Sequence, residues 1–466
     1  MILRCERTTP RIIKTLSWKN GSRAAILLEL LIKKDVTKLN FFYCDNKRRR
    51  VYRCFLYILL LSGIIAIALT TWYTYWNRVP STIKLRARAH ETLDFKVPAS
   101  GDILQLHHNE VIEAFSNNLR LNLSGPVIFK TGETNNYIVD LKLFGIIPLK
   151  SVQIDIIRDT KLMPAGIPIG IYVKTKGILV VGIGEFEGDD GKILSPAKYI
   201  LQPGDYIVAI NGEEVLEKAR MIEIISDSEG EAMVFRIERD DEEIELMIHP
   251  ELNKAGEYKL GAWIRDNAQG VGTMTYIMED GTFGALGHGI NDVDISTLMV
   301  LESGSLYRTD IINITRGVNG APGELTGFIE YNEQNVLGEI TDNTPYGIFG
   351  TINVDSQAIR DGEFIPIGLK QDIKLGPAKI ICSIDGAPTS YDVEILEIHL
   401  ENDNVNRGIV LRITDPALLS LTGGIVQGMS GSPIIQNDML IGAVTHVLVQ
   451  DATSGYGIFI ENMMLR

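Results

Sequence analysis

The chain has 466 residues, too many for one ordinary core, with 45% hydrophobic and 22% charged residues. That balance excludes fibrous, collagen-like and wholly disordered classes and predicts two or three folded units. Charge is split: residues 1–53 hold 14 Lys or Arg against 4 Asp or Glu, and the rest holds 31 against 55, so a basic head precedes an acidic body. A body without a basic stripe lacks the footprint that phosphate binding requires, which argues against a nucleic-acid partner.

No charged residue occurs between Arg53 and Arg78, and the apolar run Phe55–Leu69 continues into Trp72, Tyr73, Tyr75 and Trp76. A transmembrane helix is predicted over 54–76, with aromatic residues at its far end suited to the headgroup layer. The Lys47-Arg48-Arg49-Arg50 cluster ahead of it assigns residues 1–53 to the cytoplasm and the body to the far side, making a single-pass, exported protein. A cleaved signal peptide is the alternative, with Ala66-Ile67-Ala68 as a small-residue site. Within the head, Ala24 to Ile32 reads either as a short apolar helix on the membrane surface or as part of an over-extended gene start. Cys5, Cys44 and Cys54 lie before or at the membrane, leaving Cys382 alone in the body, which therefore forms no internal disulfide.

Residues 81–160 read as a small mixed α/β spacer or docking domain, with a helix over Asn109–Leu119 and strands over Tyr137–Phe144 and Val152–Ile157. The next segment, 161–250, carries an ordered series. It runs from Met163-Pro164-Ala165-Gly166-Ile167-Pro168-Ile169-Gly170-Ile171 through the apolar strand Gly177–Val181, Ser195-Pro196-Ala197 and the turn Gln202-Pro203-Gly204-Asp205. Ile207–Ile210, Asn211-Gly212 and a helix from about Ala219 complete it. The series resembles a PDZ domain of the bacterial protease type. The resemblance implies that Ile167, Ile169, Gly170 and Ile171 form the loop whose amides hold a peptide carboxylate, Gly170 permitting close backbone approach. A plain succession of turns is the competing reading.

After Pro250 short apolar strands alternate with Gly, Asn and Asp turns, and no long amphipathic helix occurs, so residues 251–466 are expected to form a closed or doubled antiparallel β-barrel. The overall class is mainly β. Two motifs stand out there: Gly428-Met429-Ser430-Gly431-Ser432-Pro433, and Gly284-Ala285-Leu286-Gly287-His288-Gly289. The first resembles the nucleophile loop of chymotrypsin-like proteases, in which a serine on a tight turn attacks a carbonyl while its own amide and that of Gly428 face the developing oxyanion. His288, ending an apolar strand, is the candidate general base, since a neutral imidazole can take the serine proton and return it to the leaving amine. Each motif alone is also compatible with an ordinary hairpin or a structural histidine. The His-before-Ser order matches chymotrypsin-like enzymes.

The two motifs, the preceding PDZ segment and a single N-terminal membrane segment together resemble the sporulation stage IV protein B family of endospore-former serine proteases, over roughly Val152 to Met464. The resemblance implies export from the forespore into the space between the two spore membranes and self-cleavage. It also implies proteolytic signalling to an intramembrane protease complex that activates the late mother-cell sigma factor. It points to Asp415 as the triad acid, although Asp415 lies only 15 residues before Ser430; Asp292, Asp294 and Asp310 are the substitutes, and a turn aspartate before proline is the bland alternative. Of the other histidines, His446 reads as a buried structural residue or as a border of the substrate pocket, while His107 and His108 sit outside the β domain, His249 lies at its border, and His90 and His399 have no ligand-like neighbours. No His-Glu-x-x-His, paired-cysteine or phosphate-loop pattern occurs, so no metal or other cofactor is expected in catalysis. The rival readings are an anchored PDZ scaffold with a defunct protease shape, and a housekeeping protease of the high-temperature-requirement type, which usually carries its PDZ after the protease domain.

Overall fold

A computed structural model of the chain describes residues 23–87, 90–107, 110–114, 120–130, 136–157, 160–352, 362–400 and 404–464. The chain divides into two units, Met1–Thr74 and Tyr75–Arg466. Helix α1 (Arg23–Arg78) begins in the first, and the Ala24–Ile32 segment is continuous with it; Cys5 lies outside the described residues. The stretch Arg49–Arg78, whose most apolar 18-residue window has a mean hydropathy of 2.3, is long and apolar enough to cross a membrane. Thr70, Thr71 and Thr74 donate their hydroxyls to carbonyls one turn back, so the stretch carries these polar groups without exposing them unpaired to an apolar solvent.

The body opens with a small sheet built around β1 (Thr82–Arg86), β2 (Asn136–Leu143) and β3 (Ile147–Ile157), continued by strands Ala99–His107 and Glu110–Ala114. β1 runs parallel to β3, Thr82 facing Gln153 and Arg86 facing Ile157. Alternation puts Ile83, Leu85, Val139, Leu141, Val152 and Ile154 into its core. The helix expected over Asn109–Leu119 is overturned where the segment is described: Glu110–Ala114 is a strand, Leu104 facing Ala114, because five residues follow the pairing that a neighbouring edge offers them more readily than their own propensity. Asn109 and residues 115–119 lie outside the described residues, as does His108. Among the described residues, 81–160 is therefore all β and not mixed. It docks on the rest of the body through Arg86, which reaches the Ile367 carbonyl at 2.8 Å and Asp372 at 2.9 Å, and through Lys84, 3.3 Å from the buried Glu461.

Two 16-residue strands, β4 (Pro168–Ile183) and β8 (Ala262–Ile277), organise the next part of the chain. Between them lie β5 (Tyr206–Ile210), helix α2 (Lys218–Asp227), β6 (Met233–Arg239) and β7 (Glu242–Ile248), wrapped around Ile178, Val180, Ile207, Met221, Ile225 and Phe235. This is the PDZ domain. Only the far half of β4 and the near half of β8 belong to it: Leu179 pairs Tyr206 and Arg265, whereas 168–174 pair 267–273 on one side and 303–308 on the other. The PDZ is thus an insertion into a barrel whose first strand lies upstream of it, and the boundary expected near residue 250 runs through both long strands instead.

That first barrel is completed by β9 (Thr282–Ala285), β10 (Leu301–Thr315), β11 (Val336–Thr344) and β12 (Gly347–Ile352), the ring β4–β10–β11–β12–β9–β8 closing on β4. Its core is Ile169, Ile171, Val173, Met274, Phe283, Leu306, Ile340 and Ile348. The second barrel is a closed ring of β13 (Gly376–Cys382), β14 (Thr389–Ile398), β15 (Ile409–Ile413), β18 (Asp451–Phe459), β17 (Met439–Leu448) and β16 (Pro433–Gln436), with the short helix α3 (Pro416–Thr422) after β15. Tyr276 and Phe349 of the first barrel pack against Leu440, Ala443 and Ile458 of the second. The seam between the barrels is therefore dry and closely packed, a rigid base for any site along it.

Candidate active site

His288 follows β9 on a turn in which Leu286 (φ 67°) and Gly287 (φ 70°) both take the left-handed conformation. A side chain at Gly287 would meet Ile458 at 2.9 Å and Thr445 at 3.1 Å, so the histidine loop lies against the second barrel. Ser430 occupies the tight loop before β16, with Gly428 at φ 96° and Gly431 at φ 98°, a conformation that L side chains rarely adopt. Ser432 locks the loop by donating both its amide and its hydroxyl to the Met429 carbonyl.

Thr273, on β8, holds the two loops together. Its amide donates to the Ser430 carbonyl at 2.9 Å, its hydroxyl to the Gly428 carbonyl at 2.8 Å, and its carbonyl accepts the Leu286 amide at 3.2 Å. A Cβ at Gly431 would lie 1.9 Å from that same Thr273 carbonyl oxygen, which explains why glycine stands there. His288 and Ser430 consequently line one cavity of about 520 Å³, with Leu286, Gly428, Thr445, His446 and Val447 among its walls. The SpoIVB peptidase S55 family matches this chain over residues 256–464.

Residues 256–464 are an S55 peptidase domain.

The domain is a serine endopeptidase. Three solved structures are similar to parts of the chain. The PDZ domain of the SdrC-like protein from Listeria monocytogenes is 22% identical, covering 19% of this chain and 87% of its own at a TM-score of 0.16. The HtrA-type protease AlgW with a decapeptide is 10% identical, covering 43% and 52% at a TM-score of 0.25. The Mycobacterium tuberculosis protein Rv3671c, a serine-to-alanine variant in an inactive form, is 12% identical, covering 42% and 78% at a TM-score of 0.22. Among curated proteins no sequence matches this chain.

Within the S55 domain the imidazole of His288 is in a form that can accept a proton. His288 Nδ1 lies 2.8 Å from its neighbour Gly289's carbonyl oxygen, which only a protonated nitrogen can satisfy, so the proton sits on Nδ1 and the Nε2 lone pair is free. Burial depresses the pKa of His288 below that of an ordinary histidine, against the smaller opposing effect of the Gly289 carbonyl, which keeps the ring neutral at neutral pH. The second ring, His446, lies 4.9 Å away between centroids at 37°. Burial, then the neighbouring His288 and Arg407, push it down to about 4. His446, read from sequence as structural or as a pocket border, borders the pocket.

Ser430 points elsewhere in this conformation. Its hydroxyl donates to the Thr445 carbonyl at 2.6 Å, and among the described residues no hydrogen bond joins it to His288. A rotation about one side-chain bond, between staggered wells, separates this resting arrangement from an attacking one. The amides of Gly428 and Ser430 meet no backbone acceptor among the described residues and remain available to an oxyanion.

The acid expected at Asp415 is placed differently. Asp415 is the N-cap of α3, accepting from the amides of Ala417 at 2.9 Å and Leu418 at 3.1 Å, with the Asp392 amide at 3.4 Å. The Asp-Pro that begins a short helix is a capping signal, and here that use occupies the carboxylate. The substitutes stand elsewhere too: Asp292 is buried and bridged to Arg265 at 2.9 Å, Asp294 is bridged to the same guanidinium at 2.6 Å, and Asp310 lies exposed on β10. The position beside Nδ1 that a triad acid would take is filled by a carbonyl. Cys382 offers no alternative nucleophile, because burial pushes its thiol up to about 12.

The predicted carboxylate loop of the PDZ needs correction. Ile169 and Ile171 are buried in the first barrel, and Ile169, Gly170 and Ile171 are paired on both strand edges, to 270–272 and to 306–308. Their amides have no capacity left for a peptide. Gly170 does permit close approach, but to Thr309 and Ile329, which a Cβ would meet at 2.5 and 2.7 Å. A groove of about 610 Å³ lies instead between α2 and the start of β8, lined by Met221, Ile222, Ile225, Lys259, Gly261 and Trp263. There residues 262–265 pair β4 on one edge and, among the described residues, no strand on the other. The signal for it was Leu260-Gly261-Ala262-Trp263, a glycine (φ 72°) set among apolar residues where a strand begins.

Proposed function

We propose that Ser430 is the acylated nucleophile of this peptidase and His288 its general base, working as a dyad oriented by the Gly289 carbonyl. The observation that carries the assignment is Thr273, whose three backbone and side-chain bonds hold the serine loop and the histidine loop on one cavity. As substrate enters, the Ser430 hydroxyl leaves Thr445 and attacks the peptide carbonyl while His288 Nε2 takes its proton. The amides of Gly428 and Ser430 receive the oxyanion, and the histidine returns the proton to the departing amine. Water, deprotonated by the same imidazole, then releases the acyl group and restores the hydroxyl. A serine-reactive phosphonate tests this: it labels Ser430 in the unmodified chain and neither Ser430→Ala nor His288→Ala.

We further propose that the chain is a single-pass membrane protein with its N-terminus in the cytoplasm and its body exported, in sporulating cells into the space between forespore and mother-cell membranes. It cleaves itself there and acts as a proteolytic signal during endospore formation. Its target is a membrane-embedded protease-regulator complex that processes the late mother-cell sigma factor precursor. The S55 match and the apolar span support this reading. The groove beside α2 seats an extended peptide as an added strand along 262–264, with a terminal carboxylate near Lys259 and Gly261. N-terminal sequencing of the mature chain from sporulating cells tests anchoring and self-cleavage together: an intact Arg49–Arg78 stretch is expected, with fragments that vanish in Ser430→Ala.

A second reading, an anchored PDZ scaffold without activity, draws on two observations: the serine hydroxyl is turned to Thr445, and among the described residues no carboxylate bonds His288, whose Nδ1 meets the Gly289 carbonyl. Absence of phosphonate labelling in the unmodified chain would favour it.

A further inference from the structure

The hairpin joining β2 to β3 is built against the usual rules for a turn in water. The Ile146 amide donates to the Leu143 carbonyl at 3.0 Å, closing a two-residue turn whose central residues, Phe144 (φ 52°) and Gly145 (φ 73°), are both left-handed. Such turns favour Asn-Gly, because asparagine tolerates the left-handed region and hydrates well. Here a phenylalanine takes the strained position, and Phe144, Ile146 and Ile147 are 68%, 81% and 51% exposed. Three large apolar side chains at one tip, one of them held in a disfavoured conformation, call for an apolar neighbour.

The topology says which neighbour. The chain leaves the apolar span at Arg78, and β1 runs away from that point. Because β3 is parallel to β1, with Gln153 level with Thr82, the start of β3 points back toward Arg78, where the helix ends. Six residues from Gln153 back to Ile147 cover ~20 Å, whereas the four from Thr82 back to Arg78 cover at most ~14 Å, so the tip reaches past the level of Arg78. A contact fixes the direction: the Lys150 ammonium lies 5.2 Å over the ring of Trp76, an aromatic residue in the last turns of the span. The tip stands only three residues beyond Lys150, on the order of 10 Å.

We propose that Phe144, Ile146 and Ile147 insert into the lipid bilayer that α1 crosses, as a second membrane contact that fixes the orientation of the protease body over the membrane surface. The inference rests on the span reading of Arg49–Arg78. The lysine at the foot of the hairpin and the aromatic belt of the helix would then share the headgroup layer, with the apolar tip just below it.

The full chain, reconstituted in phosphatidylcholine vesicles, allows a direct test with Ile146→Trp and, as a control, Tyr199→Trp at a PDZ residue that is 91% exposed. Lipids brominated near the upper acyl carbons should quench the added tryptophan at 146 by roughly twofold or more and leave that at 199 unchanged, as expected of a side chain buried at the headgroup boundary. Adding Phe144→Asp should reduce quenching at 146 to the level at 199. Equal, weak quenching at both positions overturns the proposal, as does quenching at 146 that appears only when vesicles carry many chains, which would assign the tip to a second copy. Native Trp72 and Trp76 serve as internal references: if they are unquenched, the span reading itself fails, whereas quenched references with an unquenched 146 sink the hairpin contact alone.

Discussion

The cleft between the barrels and the groove beside α2 are similar in volume, about 520 and 610 Å³, and opposite in construction. In the cleft, the strands that carry the reactive loops are paired on both sides, and the two loops are tied through Thr273 across a separation of 155 residues from Gly428. In the groove, the 262–265 edge of β8 has no strand partner among the described residues, and Ile222 of the short helix stands exposed beside it. Catalysis needs atoms fixed to a fraction of an ångström, which only saturated pairing supplies, whereas strand addition needs an edge with its hydrogen bonds still unspent. Ile169, Gly170 and Ile171, expected to bind peptide and instead paired on both edges, show the point. The residue pattern suits either role, and the register of β4 against β8 and β10 decides between them.

Changes that separate the two clefts should differ most in size at the serine. Ser430→Ala is expected to lower peptide hydrolysis by at least about 10⁴-fold, with peptide affinity for the groove untouched; a steady-state assay on a short peptide gives the number. Thr273→Val removes the hydroxyl bond to Gly428 and keeps the side-chain volume. Its kcat should fall on the order of 10- to 100-fold with little change in KM, and Thr273→Ser should restore it. In the groove the expected change is the converse. Ile222→Asp, on the exposed face of α2, should weaken binding of a decapeptide with an apolar C-terminal residue by roughly tenfold, while hydrolysis of a short substrate stays the same. Loss of hydrolysis in that variant would mean that the clefts do not act separately.

Smaller effects test the dyad. Asp415→Asn keeps a capping side chain and should leave activity within a few-fold, while Asp415→Ala should cost about 1 kcal/mol of stability, read by thermal unfolding. A loss of several orders of magnitude in Asp415→Asn at unchanged Tm would restore Asp415 as the triad acid. The histidine pair should also shape the response to pH. Both imidazoles are neutral, the His288 residue half-buried and the His446 residue exposed at its surface, with folded pKa values below that of an unfolded histidine near 6.5, and His446 near 4. The unfolded chain therefore binds more protons in this window, so stability is full above about 6.5 and declines as pH falls toward about 4. His446→Gln should reduce that decline. It should also move the acid limb of kcat/KM upward by less than about one pH unit, since opening the cavity wall hydrates His288 and relieves the desolvation that lowers its pKa.

Much of this was legible in the residues. The run between Arg53 and Arg78 dictates an apolar helix, because no alternative structure hides so many backbone groups in so apolar a segment. The glycines around His288 and Ser430 announce tight loops, since only glycine takes such backbone angles without strain. The short strands after Pro250 announce barrels. What stayed hidden was whatever depends on pairing at long range. Thr273 is an ordinary residue in a strand until the fold sets it between two loops. Asp415 looked like an acid in waiting until a helix N-terminus claimed it, because a local cap satisfies a carboxylate sooner than a distant imidazole can. Glu110–Ala114 became a strand because an edge was available beside it. Composition and local pattern thus determined which reactive groups exist and how tightly their loops turn. Only the tertiary structure decided which backbone groups were already bonded, and so which of those groups remained free to act.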